Sequence, residues 1–184
     1  MNSGKTLALL TKNYMLRERG FKTILMKPDI DDRSLTISSR IGVEEKCISI
    51  QRYELPSEDI LKSKQPRPDF VLIDESQFLS KEQVWDLAHL VDNWKIDVFC
   101  YGLKLDWRGE FFEGSKELMK ISDDLIQIES LCKYNKGMPA LFHIKLGGNK
   151  ESVETGFEDL YETVSRKKWV EWWSLNDGND INNK

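Results

Sequence analysis

The chain begins Met1-Asn2-Ser3-Gly4-Lys5-Thr6, which reads as the closing half of a phosphate-binding loop. In the full loop, G-x-x-x-x-G-K-[ST], backbone N–H groups cradle phosphates, the lysine neutralises them and the hydroxyl holds Mg2+. Gly4-Lys5-Thr6 is present here, whereas the opening glycine and the strand that delivers such a loop are not. A second group with chemical potential is Val71-Leu72-Ile73-Asp74-Glu75-Ser76-Gln77. A carboxylate at the end of an apolar strand is what phosphate-loop enzymes use to reach Mg2+ beside the phosphates. Glu75 follows directly, and adjacent residues leaving a strand point in different directions. Asp74 can therefore serve a metal while Glu75 faces a substrate hydroxyl. Each half-motif is weak alone, since Gly-Lys-Thr recurs by chance and Asp-Glu can simply begin a solvated turn. Together they point to nucleotide phosphate chemistry.

Such residues need a parallel sheet to hold them, and the hydrophobic pattern supplies one. Leu7 to Arg19 has helical spacing and ends at Gly20, a natural C-cap. Phe21 to Met26 reads as a buried strand halted by Pro28, and Asp29 to Ile41 as a polar loop. Cys47 to Ile50 suits a short strand, and Ser57 to Lys62 a helix opened by a serine cap. Asp69 to Asp74 is an apolar strand, Ser80 to Asn93 a capped amphipathic helix, and Ile96 to Tyr101 a further strand ending at Gly102. Alternating strands and helices predict an α/β fold, a parallel sheet with helices packed over it.

Bulk properties narrow the function classes. A chain of 184 residues with net charge −4 and interleaved charges forms one domain, or one domain with a small appendage, and has no basic face for nucleic acid. No apolar run approaches the roughly 18 residues of a membrane helix, and the N-terminus lacks a secretion signature. Cys47, Cys100 and Cys132 are too scattered for a disulfide framework, so a cytoplasmic setting is expected. His89 on a helix and His143 in an apolar stretch read as structural histidines. Trp169, Trp172 and Trp173 read as tail packing or a subunit contact.

Five blocks then stand in a telling order. They are the opening hexapeptide, Asp31-Asp32-Arg33 with Ser39-Arg40-Ile41-Gly42, Asp74-Glu75-Ser76-Gln77-Phe78-Leu79, Tyr101-Gly102-Leu103 with Asp106-Trp107-Arg108-Gly109 and Gly114-Ser115, and Gly156 to Tyr161 with Ser165-Arg166. This order resembles the cytosolic-type (type II) thymidine kinases, and the likeness runs to about Trp169. The resemblance implies a P-loop (RecA-like) domain over 1–130 and a small lasso lobe over 131–172, and residues 173–184 are expected to be a disordered polar tail. It implies transfer of the ATP γ-phosphate to the 5′-hydroxyl of thymidine, with deoxyuridine as a further substrate, in thymidylate salvage. Glu75 matches the catalytic base; Asn2, Ser3, Gly4, Lys5, Thr6, Asp74, Glu75, Ser76 and Gln77 match ATP-binding positions. Thr6 and Asp74 match the Mg2+ ligands. Asp31, Arg33, Leu103, Trp107, Phe112 and Tyr161 match substrate positions, with Trp107 standing where phenylalanine is more usual. ATP and thymidine are the implied partners, and relatives form homotetramers.

Two departures from the family pattern bear on function. The family closes its lasso with four zinc ligands, mostly cysteines, but here only Cys132 remains. Asn135 or Lys136 stands in place of the second thiolate, and Ser165-Arg166-Lys167-Lys168 replaces the second pair. Neutral hydroxyl, amide and protonated lysine groups are poor zinc donors, so no zinc is expected. Residues 147–156 are expected to form a lid over the nucleoside. The other departure is the missing first strand, read either as a late-called start of a working kinase or as truncation of a nucleotide-binding relic. The kinase reading is preferred because Glu75, Gln77, Leu103 and Tyr161 are retained.

Overall fold

Consecutive apolar residues along two strands decide the architecture, because a strand buried on both faces needs cover on both sides. The computed structural model describes residues 3–30, 35–63, 66–135, 137–147 and 160–176. Asn2, Asp31, Arg33, Lys136 and all but the first residue of the expected lid at 147–156 lie outside that description. The described chain divides into two units, Gly4–Lys104 with Phe112–Leu125, and Met1–Ser3 with Leu105–Phe111 and Ile126–Lys184. The expected boundary at 130/131 thus differs from this division, in which 105–111 and 126–130 go with the C-terminal residues.

In the first unit, α1 (Lys5–Glu18) is followed by β1 (Thr23–Pro28), β2 (Thr36–Ser38), β3 (Glu44–Lys46), β4 (Ile48–Ile50), α2 (Pro56–Lys62) and β5 (Phe70–Ile73). A short 3-10 turn (Ser76–Phe78), α3 (Lys81–Trp94), β6 (Asp97–Cys100) and α4 (Glu113–Ile121) complete it. The main sheet is parallel in the order β4-β1-β5-β6, with Leu25 paired to Leu72 and Leu72 to Phe99. Side-chain alternation splits the core into two. Ile24, Met26, Val71 and Ile73 pack with Ile60, Val84, Leu87 and Leu90 of α2 and α3. Leu25 and Leu72 pack with Leu9, Leu10 and Leu16 of α1 on the opposite face. Each fully buried aliphatic side chain contributes about 1.5–3 kcal/mol. The expected α/β parallel sheet flanked by helices is the fold found.

Three local expectations are corrected. β1 runs from Thr23 rather than Phe21 and past Met26 to Pro28, which ends it, paired with Ile50, at a strand end where a missing N–H costs least. The stretch read as loop contains β2, which pairs antiparallel with β3 and buries Ile37 in the α1 core. Helix α2 starts at Pro56 behind Leu55 rather than on a serine cap. The Ser57 hydroxyl and N–H instead donate to the Asp86 carboxylate, both at 2.8 Å. The α3 cap is as expected, a capping box in which Ser80 and Gln83 bond reciprocally.

The second unit holds β7 (Phe142–Lys145) and β8 (Tyr161–Val164), an antiparallel pair, then α5 (Arg166–Asn176). Residues 173–176, expected within a disordered tail, are helical. Their helix belongs to an aromatic cluster: Trp107 stacks on Trp173 at 5.5 Å, and Phe142 tilts against Trp169 at 5.0 Å. The tryptophan trio is therefore packing inside its own unit. His143 is buried in β7, and His89 on α3 shares a 2.9 Å hydrogen bond with the Asn93 side chain.

Candidate phosphate and nucleoside site

Gly4 precedes α1 with φ 75°, a left-handed conformation that favours glycine, and a Cβ there would meet nothing. Backbone conformation, not space, is what this glycine provides. It turns the chain so that Lys5 and Thr6 form the first turn of α1, whose unpaired N–H groups favour anions. The Thr6 hydroxyl donates to Asp74 Oδ2 at 2.9 Å. Asp74 sits at the carboxyl end of β5, its N–H bonded to the Met26 carbonyl at 3.0 Å, and its other oxygen accepts the Glu75 N–H at 3.1 Å. The two half-motifs of the sequence thus meet.

Asp74 is 5% exposed. Burial, reinforced by the neighbouring Glu75 charge, pushes its carboxyl up to about 6, against the pull of the Thr6 hydroxyl, the Glu75 N–H and the Lys5 charge. A carboxylate left partly uncompensated beside a threonine hydroxyl is a donor pair suited to Mg2+, which commonly takes one or two protein oxygens and completes its shell with phosphates and water. Among the described residues no cluster of three or more His, Cys, Asp or Glu side chains offers an all-protein metal cage.

Glu75 itself has φ 52° and ψ 34°, a left-handed conformation rare for a residue with a side chain. Such a conformation costs on the order of 1 kcal/mol and persists only where surroundings enforce it. They do so here: the Ser76 N–H bonds the Tyr101 carbonyl at 3.0 Å, and the Gln77 amide donates to Glu75 Oε2 at 2.5 Å. Gln77 Oε1 accepts the Leu103 N–H at 3.1 Å, and Ser115 Oγ donates to the Leu103 carbonyl at 2.5 Å. A Cβ on Gly102 would lie 2.8 Å from Gln77 Oε1 and from Ser76 Oγ, and one on Gly114 only 2.5 Å from the Ser76 carbonyl. Both glycines are set by close approach. Phe78 and Phe112 meet edge to face at 5.4 Å, and a cavity of about 740 Å³ opens at the carboxyl ends of β1 and β4, bordered by Ile30, Arg52, Tyr53 and Phe78. Ligands of parallel α/β sheets bind at that end.

A family model described as thymidine kinase matches residues 1–169. The thymidine kinases of Photobacterium profundum and Shewanella oneidensis are each 38% identical to the chain, over 178 and 181 residues. These alignments cover 93% and 94% of this chain and 93% of each relative. The thymidine kinase of Escherichia coli (strain K12) is 36% identical over 178 residues, 93% of this chain and 87% of its own. This chain belongs to the thymidine kinase family. Helix α5 runs past the matched span, to Asn176.

Within this thymidine kinase family member, Lys5, Thr6, Asp74, Glu75, Gln77, Leu103 and Phe112 belong to one unit, and Trp107 and Tyr161 to the other. In that second unit the Asp106-Trp107-Arg108-Gly109 block is a locked turn. Asp106 accepts the N–H groups of Arg108 and Glu110 at 2.9 and 3.0 Å and pairs with the Arg108 guanidinium at 2.7 Å. Trp107 is 5% exposed, with Trp172 and Trp173 against its ring, so its observed contribution is packing. Tyr161 is buried on β8 with the Lys145 ammonium 5.6 Å from its ring.

Cys132, Asn135 and Ser165, at the positions where the resemblance leads one to expect zinc ligands, also converge. Ser165 Oγ donates to Asn135 Oδ1 at 2.9 Å, and Cys132 Sγ lies 3.8 Å from the same oxygen. Burial pushes the Cys132 thiol up, but hydrogen bonds with Ser165, Asn135 and Tyr134 outweigh it and leave the thiol below its ordinary value. One thiol, one amide and one hydroxyl bonded to one another do not form a zinc donor set. Sequence reasoning missed Ser115 and Asn135 as structural partners, and Arg52 and Tyr53 as cavity residues. Gly114-Ser115 was visible as a motif, but the carbonyl it grips was not.

Proposed function

We propose that the chain is a thymidine kinase that transfers the γ-phosphoryl group of ATP to the 5′-hydroxyl of thymidine, accepting deoxyuridine as well. The observation that carries this reading is the Thr6–Asp74 hydrogen bond with Glu75 held next to it. The N-terminal turn of α1 and Lys5 receive the phosphates, joined on the family resemblance by Asn2 and Ser3. Thr6 and Asp74 would hold Mg2+, which would supply charge neutralisation beside the phosphates. Glu75 accepts the 5′-hydroxyl proton as that oxygen forms its bond to γ-phosphorus and the bond to the β-phosphate oxygen breaks, releasing ADP. The aromatic pair Phe78–Phe112 and Leu103 form the apolar wall for the base, while Asp31, Arg33 and Tyr161 are assigned to the nucleoside on the resemblance alone. Trp107 we assign to packing. The same resemblance supports a cytoplasmic homotetramer, and the departure at the zinc positions supports a chain without zinc.

Glu75→Gln tests the reading. Phosphorylation of radiolabelled thymidine should fall at least about 100-fold while MgATP still raises the melting temperature. Turnover that survives the substitution removes Glu75 from the role of base, and MgATP binding by the unaltered chain without turnover identifies a nucleotide-binding relic.

A further inference from the structure

The Gln77 side chain is 1% exposed and its polar atoms face two different chain segments. Its Nε2 donates to Glu75 Oε2 at 2.5 Å, and its Oε1 accepts the Leu103 N–H at 3.1 Å. The segment it grips is fixed on the far side by Ser115, whose hydroxyl donates to the Leu103 carbonyl from the first turn of α4. Gly102 lies against the amide so closely that a methyl there would meet Oε1 at 2.8 Å. A side chain so enclosed is poorly placed to act as a ligand for ATP, the role its motif implies. Its geometry suits another purpose.

We propose that Gln77 is the positioning residue of the general base: its amide ties the Glu75 carboxylate to the Leu103 backbone, and so couples the base to the segment that receives the nucleoside. This rests on Glu75 being the base. Glu75 has a strained backbone and a flexible side chain, and one fixed donor removes much of its freedom. Misplacing a catalytic group by about 1 Å costs up to about 100-fold in rate, so an aiming contact should be felt in kcat. Because Gln77 touches neither substrate in this reading, the KM for ATP should hardly move.

The experiment is a rate cycle on the full chain. Gln77→Met, close in shape but unable to donate to Glu75 or to accept from Leu103, should lower kcat about 10- to 100-fold with the KM for ATP changed less than about 3-fold. In a Glu75→Asp background, where the shortened carboxylate is already out of reach of the amide, the same change should cost less than about 3-fold. An equal loss in both backgrounds, an unchanged kcat, or a loss expressed in the KM for ATP would each overturn the proposal. If Gln77→Met fails to melt cooperatively, Gln77→Leu, of similar size and without donor or acceptor, is read by the same criteria. Failure of the underlying reading shows separately, as full turnover by Glu75→Gln.

Discussion

The Thr6 hydroxyl donates to the Asp74 carboxylate at 2.9 Å across a separation of 68 residues. That contact joins the first turn of α1 to the carboxyl end of β5, bringing together the two side chains proposed for Mg2+. A hydrogen bond to a charged group is worth about 1.5–3 kcal/mol. Thr6→Val keeps the shape and deletes the donor, and should weaken MgATP binding on the order of 10- to 100-fold by calorimetry. Unchanged affinity would show that Thr6 has no part in holding the metal.

Asp74 gives the free chain a distinctive pH response. Its carboxyl is pushed up to about 6 by burial and by Glu75, so the folded chain binds its proton more tightly than the unfolded chain does. The stability it contributes is complete below about pH 4 and is lost as pH rises through about 6. Asp59, also raised to about 6 by burial and Glu54, acts in the same direction. Asp74→Asn should therefore stabilise the ligand-free chain at pH 7 by on the order of 2 kcal/mol and flatten its profile between about pH 4 and 6. MgATP affinity should respond oppositely in the unaltered chain, falling as protons compete for Asp74. Denaturant titrations at a series of pH values test this; parallel profiles for the two proteins would refute it.

Much of this arrangement was legible in the residues, for identifiable reasons. β5 was readable because four apolar residues ending in Asp74 have few alternatives, and α3 because Ser80 and Gln83 spell a capping box. The strand β2 was not, since its single buried residue, Ile37, lies in a polar stretch and depends on α1 for cover. Ser57 misled because a serine beside Pro56 looks like a cap, whereas its partner is Asp86, 29 residues away. The site split in the same way. Local motifs located Gly4 to Thr6 and Asp74 to Gln77, but Gln77's second partner, Leu103, lies 26 residues on, a contact made only by folding. Trp107 read as a pocket wall because its motif is short-range, while the α5 rings that cover it come some 62 residues later and beyond.

Cys132, Asn135 and Ser165 of the C-terminal unit carry a different expectation. Asn135 and Ser165 bond to each other near Cys132, giving the lobe a small polar clasp. Ser165→Ala leaves the Asn135 oxygen without this donor and should cost about 1–2 kcal/mol. Metal analysis of the purified chain should find far less than one zinc per chain, and a chelator should leave its melting temperature unchanged. Stoichiometric zinc, or a chelator-induced drop in melting temperature, would contradict the clasp.

Helix α5 supplies the last test, because it extends beyond the family match and yet touches the most constrained loop of its unit. Trp169 Nε1 donates to the Trp107 carbonyl at 2.9 Å, and its ring lies so close to Gly109 that a Cβ there would sit 2.9 Å from it. Gly109 also has φ 81°, so an alanine would be strained even with the ring removed. Trp169→Phe deletes the indole donor and part of the packed ring, and should destabilise the unit by about 1–3 kcal/mol. In a chain of this length that lowers the melting temperature by roughly 3–10 °C, and loss of the near-ultraviolet tryptophan signal should track it. Gly109→Ala should be comparably destabilising, and combining the two should cost less than their sum, because the ring that crowds the alanine is then smaller. Strict additivity would show that the loop and α5 are held independently.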